Sequence, residues 1–300
     1  MTHHHDTFAG VYPAMTTPFT QSTDIDHDRL ARNAHRLEAA GVDGLVPVGS
    51  TGESATLTHD EHIDVIETVV NAVDCPVIAG AGSNATHEAI QLAERAAAAG
   101  ADGLLLISPY YNKPEPAGQY EHYTAIADAV SLPQIVYNVP SRTGRSLDLD
   151  TVVELAGHEN IQGYKAASGD LGLITELIER TQDEQFDVLS GDDALTLPIM
   201  AVGGTGTISV AGNVVPRRLT AMVQAALDDD FDRARELHHA LGPLFRTLFA
   251  ETNPIPIKEA MAIQGHGPAV LRSPLSRATD GTRDRLATVL GDLTPLEAEV

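Results

Sequence analysis

The sequence predicts an α/β protein of the TIM (β/α)8-barrel class carrying a C-terminal helical extension. Two observations point there. Eight short apolar runs alternate with segments of helical periodicity over most of the 300 residues, the pattern of parallel strands joined by right-handed helical crossovers. No Gly-x-Gly-x-x-Gly follows any of these runs. The fingerprint of an open doubly wound sheet is therefore missing, and closure into a barrel better accounts for eight units.

Taken in order, the strand candidates are residues 11–15, 44–49, 77–82, 103–108, 134–139, 161–166, 187–190 and 207–210. The intervening segments place apolar residues three and four apart, as at Ile63, Ile66, Val69 and Val70 or at Ile90, Ala93 and Ala97. Each helix thus has one apolar face to lay on the sheet. Thr58 followed by Glu61 forms a capping box, which starts a helix near His59. The alanine run 96–99 before Gly100 marks a helix end. From about Val215 onward strand signals stop, and 231–248, 257–264 and 281–290 read as helices packed on the barrel. Residues 1–225 are expected to form the barrel and 226–300 the extension, with no low-complexity linker between them.

Composition narrows the function classes. The chain is 43% hydrophobic, enough for a sizeable core. No run approaches the roughly 18 consecutive apolar residues of a membrane span, and the first ten residues hold no apolar signal region. A soluble, cytoplasmic protein is expected, with no membrane partner. Cys75 is the single cysteine, so an intrachain disulfide and thiol-rich metal sites are excluded. Forty-two acidic residues against 19 basic ones give a net charge of −23, which argues against nucleic acid as a partner. Such a surface suits a salt-adapted (halophilic) cytoplasm, where ions screen its self-repulsion. Melting temperature should then rise with salt toward molar concentrations, and a salt-indifferent melt would contradict the idea.

Reactive groups of such a barrel stand at the C-terminal ends of its strands. Lys165, one of only three lysines with Lys113 and Lys258, lies inside an apolar run. An unperturbed lysine with pKa about 10.4 is neutral in roughly one molecule in 2,500 at pH 7, and burial enlarges that nucleophilic fraction. A neutral amine there can attack a ketone and form an iminium; a strand-end lysine that merely reaches solvent is the competing reading. Tyr137 ends the preceding strand, and its phenol needs hydroxyl partners such as Ser50, Thr51 or Tyr111 to pass protons. Arg142, in a proline and glycine loop, can grip a carboxylate or serve a surface ion pair. His3, His4 and His5 near the terminus, and His59 with His62, lack the ligand pattern of a catalytic metal site, so no metal is expected.

These segments together resemble the dihydrodipicolinate synthase and N-acetylneuraminate lyase family from Gly10 to about Leu290. The specific pieces are GSTGESATLTHDEH at 49–62, SPYYNKP at 108–114, YNVPSRTG at 137–144, LSGDDALTLP at 189–198, GGTGTISV at 203–210 and NPIPIKEAM at 253–261. The resemblance implies a lyase of lysine (diaminopimelate) biosynthesis that joins pyruvate to L-aspartate 4-semialdehyde without a cofactor, beyond a covalent Schiff base with pyruvate. It implies Lys165 as the Schiff-base lysine, Tyr137 as proton donor and acceptor, and Ser50 and Tyr111 as relay hydroxyls, Tyr111 reaching in from an adjacent subunit. Thr51, Gly191 and Ile208 fall where the family holds pyruvate, and Arg142 where its synthases hold the semialdehyde carboxylate. Ser54, Ala55, His59, His62, Asn84, Glu88 and Tyr110 fall where lysine-inhibited members bind L-lysine. A homotetramer of tight dimers is the implied assembly. Two departures, Ser50 for the usual threonine and Lys165-Ala166-Ala167-Ser168-Gly169 for K-E-A-T-G, leave open a 2-keto-3-deoxy sugar acid or N-acetylneuraminate lyase-like aldolase. A catalytically silent ligand-binding barrel is the non-enzyme alternative.

Overall fold

The computed structural model describes residues 7–297. Its strands are β1 (Gly10–Pro13), β2 (Ile78–Gly80), β3 (Gly103–Ile107), β4 (Gln134–Asn138), β5 (Ile161–Ala166), β6 (Asp187–Ser190) and β7 (Gly206–Ser209), all in parallel pairs in the order β1-β7-β6-β5-β4-β3-β2. The expected strand at 44–49 survives as two parallel bridges, Ala14 with Val46 and Leu45 with Val77, and these close the ring between β1 and β2. Its ladder is short for a physical reason. Val46 N–H bonds Pro13 O and Leu45 N–H bonds Pro76 O, but Pro47 has no N–H to give and Val48 turns left-handed at φ 50°. The eighth strand is present in place and reduced in pairing.

Two buried layers follow from the alternation of each strand. Leu105, Ile135, Tyr137, Leu189 and Ile208 point into the barrel with Phe8, Tyr12 and Val46. Leu104, Leu106, Val136, Tyr164, Ala166 and Val188 point outward to the helices. This period of two puts Lys165, between Tyr164 and Ala166, on the inner side.

The helices are α1 (His27–Glu38), α2 (His59–Val70), α3 (Thr86–Ala98), α4 (Pro116–Ala129), α5 (Pro140–Thr143), α6 (Leu149–Ala156), α7 (Leu171–Arg180), α8 (Thr196–Met200), α9 (Pro216–Leu227), α10 (Phe231–Leu248), α11 (Ile255–Ile263) and α12 (Asp280–Glu297). The capping box forms as expected: Thr58 Oγ1 accepts from Glu61 N–H at 3.2 Å and Glu61 accepts from Thr58 N–H at 2.9 Å. In the extension α10 has the expected bounds, and α11 and α12 begin within two residues of theirs. α9 was not anticipated as a separate helix. Its Leu219, Met222, Val223 and Ala226 are buried at helical spacing after a proline at N1. No described helix is long and apolar enough to cross a membrane.

Candidate active site

Lys165 sits beside Tyr137 because β4 and β5 pair in the register Tyr137 to Lys165. Its ammonium nitrogen lies 4.2 Å from the centre of the Tyr137 ring, and the residue is 6% exposed. Burial pulls the amine down to about 7, against the carboxylate of Asp193, which favours the charged form; the Arg142 guanidinium lowers it further. The neutral, nucleophilic form is thereby favoured near neutral pH. Gly191, just past β6, gives this side chain its room: a Cβ there would stand 2.9 Å from Lys165 Cε and 3.0 Å from Ala167 Cβ.

The Tyr137 phenol is pushed up to about 12 by burial, partly offset by the charge of Arg142 and by a hydrogen bond from Ser50. The phenol therefore keeps its proton near neutral pH. Ser50 and Thr51 belong to the 3-10 turn Ser50–Gly52 after Gly49. Thr51 Oγ1 accepts from Asn253 Nδ2 at 2.9 Å. Arg142 rides on α5, which ends at Gly144 in the left-handed region (φ 78°) that glycine tolerates. Its Nη2 donates to Asn253 O at 2.6 Å. One residue of the segment before α11 therefore touches both the hydroxyl turn and the guanidinium.

Lys165, Tyr137, Ser50, Thr51, Arg142 and Gly191 line one cavity of about 690 Å3, ample for two small substrates together. Ile208 lies beneath it in the inner layer with Tyr137. Tyr111 stands apart: it is 88% exposed, left-handed at φ 65°, and does not line the cavity. The residues implied for an effector site divide. His59 Nε2 is 3.1 Å from Glu88 Oε1, Ser83 Oγ donates to Glu88 Oε2, and the Asn84 carbonyl accepts from Asn112 Nδ2 at 2.8 Å. Ala55 and Tyr110 are exposed. His62 is buried and bonds Gly80 O at 2.6 Å, and burial lowers its pKa. A narrow cavity of about 30 Å3 connects Ser54 and His62 with Ser50 and Tyr137. His3, His4 and His5 lie outside the described residues, among which no group of three or more His, Cys, Asp or Glu could hold a metal ion.

Three residues with a part in the site escaped the sequence reading. Asp193 is buried, accepts from Ser209 Oγ and from the N–H groups of Val210 (3.2 Å) and Ala211 (2.9 Å), and is raised to about 6 by burial despite them. Asn253 has been described. Asp192 joins Phe249, Ala250, Glu251 and Thr252 in lining the cavity. The signals existed, in the doubled aspartate after β6 and in the Asn-Pro-Ile-Pro segment, but an acidic pair or a loop asparagine has no period that reveals its partner.

A family model described as the dihydrodipicolinate synthetase family matches residues 7–293. A protein of Haloarcula marismortui named 4-hydroxy-tetrahydrodipicolinate synthase is 64% identical, covering 97% of this chain and 96% of its own. One of the same name from Natronomonas pharaonis is 66% identical, covering 96% and 99%. These relatives match the salt adaptation expected from the acidic composition. Among solved structures, the dihydrodipicolinate synthase of Aquifex aeolicus superposes with a TM-score of 0.92 at 44% identity, covering 95% of this chain and 97% of that one. The chloride-inhibited enzyme of Acinetobacter baumannii, complexed with pyruvate, gives 0.93 at 39%, covering 95% and 99%. That of Cyanidioschyzon merolae, with lysine bound, gives 0.90 at 37%, covering 95% and 98%.

Proposed function

The chain belongs to the dihydrodipicolinate synthetase family, and from that membership we propose that it condenses pyruvate with L-aspartate 4-semialdehyde in lysine biosynthesis. The observation that carries the reading is the Lys165 amine, buried and packed on the Tyr137 phenol in a cavity that Arg142 also lines, with burial lowering its pKa. Lys165 attacks the pyruvate ketone and water leaves, forming an iminium. The iminium withdraws electrons, so a methyl proton departs and an enamine results. The enamine carbon attacks the aldehyde, and the resulting alkoxide takes a proton through Tyr137 and Ser50. The substrate amine then adds to the iminium carbon, expelling Lys165 and closing the ring. Thr51, Gly191 and Ile208 shape the pyruvate end of the cavity, and Arg142 pairs with the semialdehyde carboxylate. The iminium is the electron sink, so the route needs no cofactor.

Exposed Tyr111 fits the same scheme as a hydroxyl contributed to a neighbouring copy, in a homotetramer of tight dimers working in the cytoplasm. Ser54, Ala55, His59, His62, Asn84, Glu88 and Tyr110 are proposed to take L-lysine as a feedback inhibitor, read as loss of turnover at millimolar lysine.

The test is a coupled assay in high salt with both substrates, alongside cleavage of 2-keto-3-deoxygluconate and borohydride trapping of pyruvate. Semialdehyde turnover that falls by about 10- to 100-fold in Arg142→Ala, as loss of a charged hydrogen bond to a carboxylate predicts, supports the synthase. Cleavage of the sugar acid alone would overturn the substrate and keep the Schiff base.

A further inference from the structure

The turn presenting Ser50 and Thr51 is fastened by contacts that the proposed reaction does not use. Glu53, two residues past Thr51, is left-handed (φ 56°, ψ 35°), a conformation unfavourable for a residue with a Cβ. Its fully buried carboxylate is what holds it there. One oxygen pairs with Lys258 Nζ, and the other accepts Arg272 N–H at 3.1 Å. Lys258 in α11 is 4% exposed, donates to Val270 O at 2.8 Å, and lies 4.0 Å from the centre of the Phe19 ring. Arg272 grips Glu61, the capping residue of α2, at 2.8 and 2.6 Å and donates to Thr56 O at 3.0 Å. Helix α11 and the loop that follows it thus tie down both ends of segment 53–61, while Thr17 Oγ1 holds Gly52 O at 2.7 Å.

A buried ion pair is a poor source of stability, because desolvation consumes most of the attraction and apolar residues of equal volume serve as well. What it adds is direction: two carboxylate oxygens with two different partners fix the orientation of the turn. We propose that Glu53 and Lys258 form a positioning strut that aims the Ser50 and Thr51 hydroxyls into the cavity. The strut touches no substrate, and it rests on the reaction proposed above. Its loss lets Ser50 drift from Tyr137, lowering kcat, and Thr51 drift from the pyruvate end, raising the KM for pyruvate. Arg142 hangs from α5 and the Asn253 backbone, so the KM for the semialdehyde stays.

The experiment is the full-length double variant Glu53→Gln/Lys258→Met in high salt, compared with wild type by thermal melting, steady-state kinetics and borohydride trapping. The expected result is a near-unchanged melt and trapping at saturating pyruvate, with kcat down about tenfold or more, KM for pyruvate up by a similar factor and KM for the semialdehyde unchanged. Lys258→Arg, which keeps the charge, should restore kcat to within a few-fold. A double variant that melts like wild type with wild-type kcat and pyruvate KM overturns the strut. Should the double variant not fold, Glu53→Asp, one methylene shorter, must show the same split, and equal scaling of both KM values there overturns it. Absence of turnover and trapping in wild type itself counts against the reaction, a separate failure.

Discussion

Two of the three lysines are buried, and they are buried differently. Lys165, at the end of β5, has the Tyr137 ring against it and, among the described residues, no carboxylate in ion-pair contact; it feels the field of Asp193, whose oxygens are taken by Ser209, Val210 and Ala211. Lys258, in α11, is locked to Glu53 and to the Val270 carbonyl. Burial lowers both amines, to about 7 and about 8 respectively, the second held up by Glu53. The first is pushed toward its neutral, nucleophilic form, and the second has its geometry committed to two partners. The lysine proposed to react and the structural one are told apart here by partners, since burial alone is the same.

The largest expected effect breaks that comparison by replacing each lysine with methionine. Lys165→Met should abolish turnover and stabilise the fold by about 2–4 kcal/mol at pH 7, since it removes an amine whose pKa is depressed by some three units and strands no partner. Lys258→Met should destabilise by about 3–5 kcal/mol, because it leaves Glu53 buried without its cation. The sign with pH follows from linkage. The unfolded chain binds the Lys165 proton between about 7 and about 10.5 while the folded chain does not, so the penalty is full below pH 7 and fades as pH rises. The advantage of Lys165→Met should shrink in the same window. Denaturant melts of the two variants at two pH values check all of this, and two destabilised proteins would mean that Lys165 too is held by an unseen partner.

The two lysines also mark how far the sequence could be read. Lys165 was legible because strand alternation fixes its inward direction and a charge inside an apolar run is conspicuous. The barrel was legible for the same reason, run by run, and the capping box placed α2. Strand 44–49 was overstated because periodicity does not register that Pro47 gives no hydrogen bond and that Val48 leaves the extended region. Lys258 and Asn253 were passed over because their partners, Glu53 and Thr51, are about two hundred residues away. Contacts of that separation are made by the closed barrel and leave no local pattern.

The smaller effect sharpens the comparison at Lys165 itself. The rate of iminium formation should follow the neutral amine, so kcat/KM for pyruvate should fall about tenfold per unit below an apparent pKa near 7 and level off above it. Asp193, raised to about 6, titrates close by, and the apparent value therefore belongs to the pair. The two charges act in opposite senses: Asp193 favours the ammonium and Arg142 opposes it. Asp193→Asn should move the acid limb to lower pH, and Arg142→Ala should move it to higher pH, each by up to about one unit. Measured in molar salt, the Asp193 shift should shrink little, because that carboxylate is buried away from counterions, while the shift from exposed Arg142 should shrink more. Shifts in the same direction, or a limb unmoved by either change, would mean that desolvation alone sets the amine and that the charges around it are there for substrate.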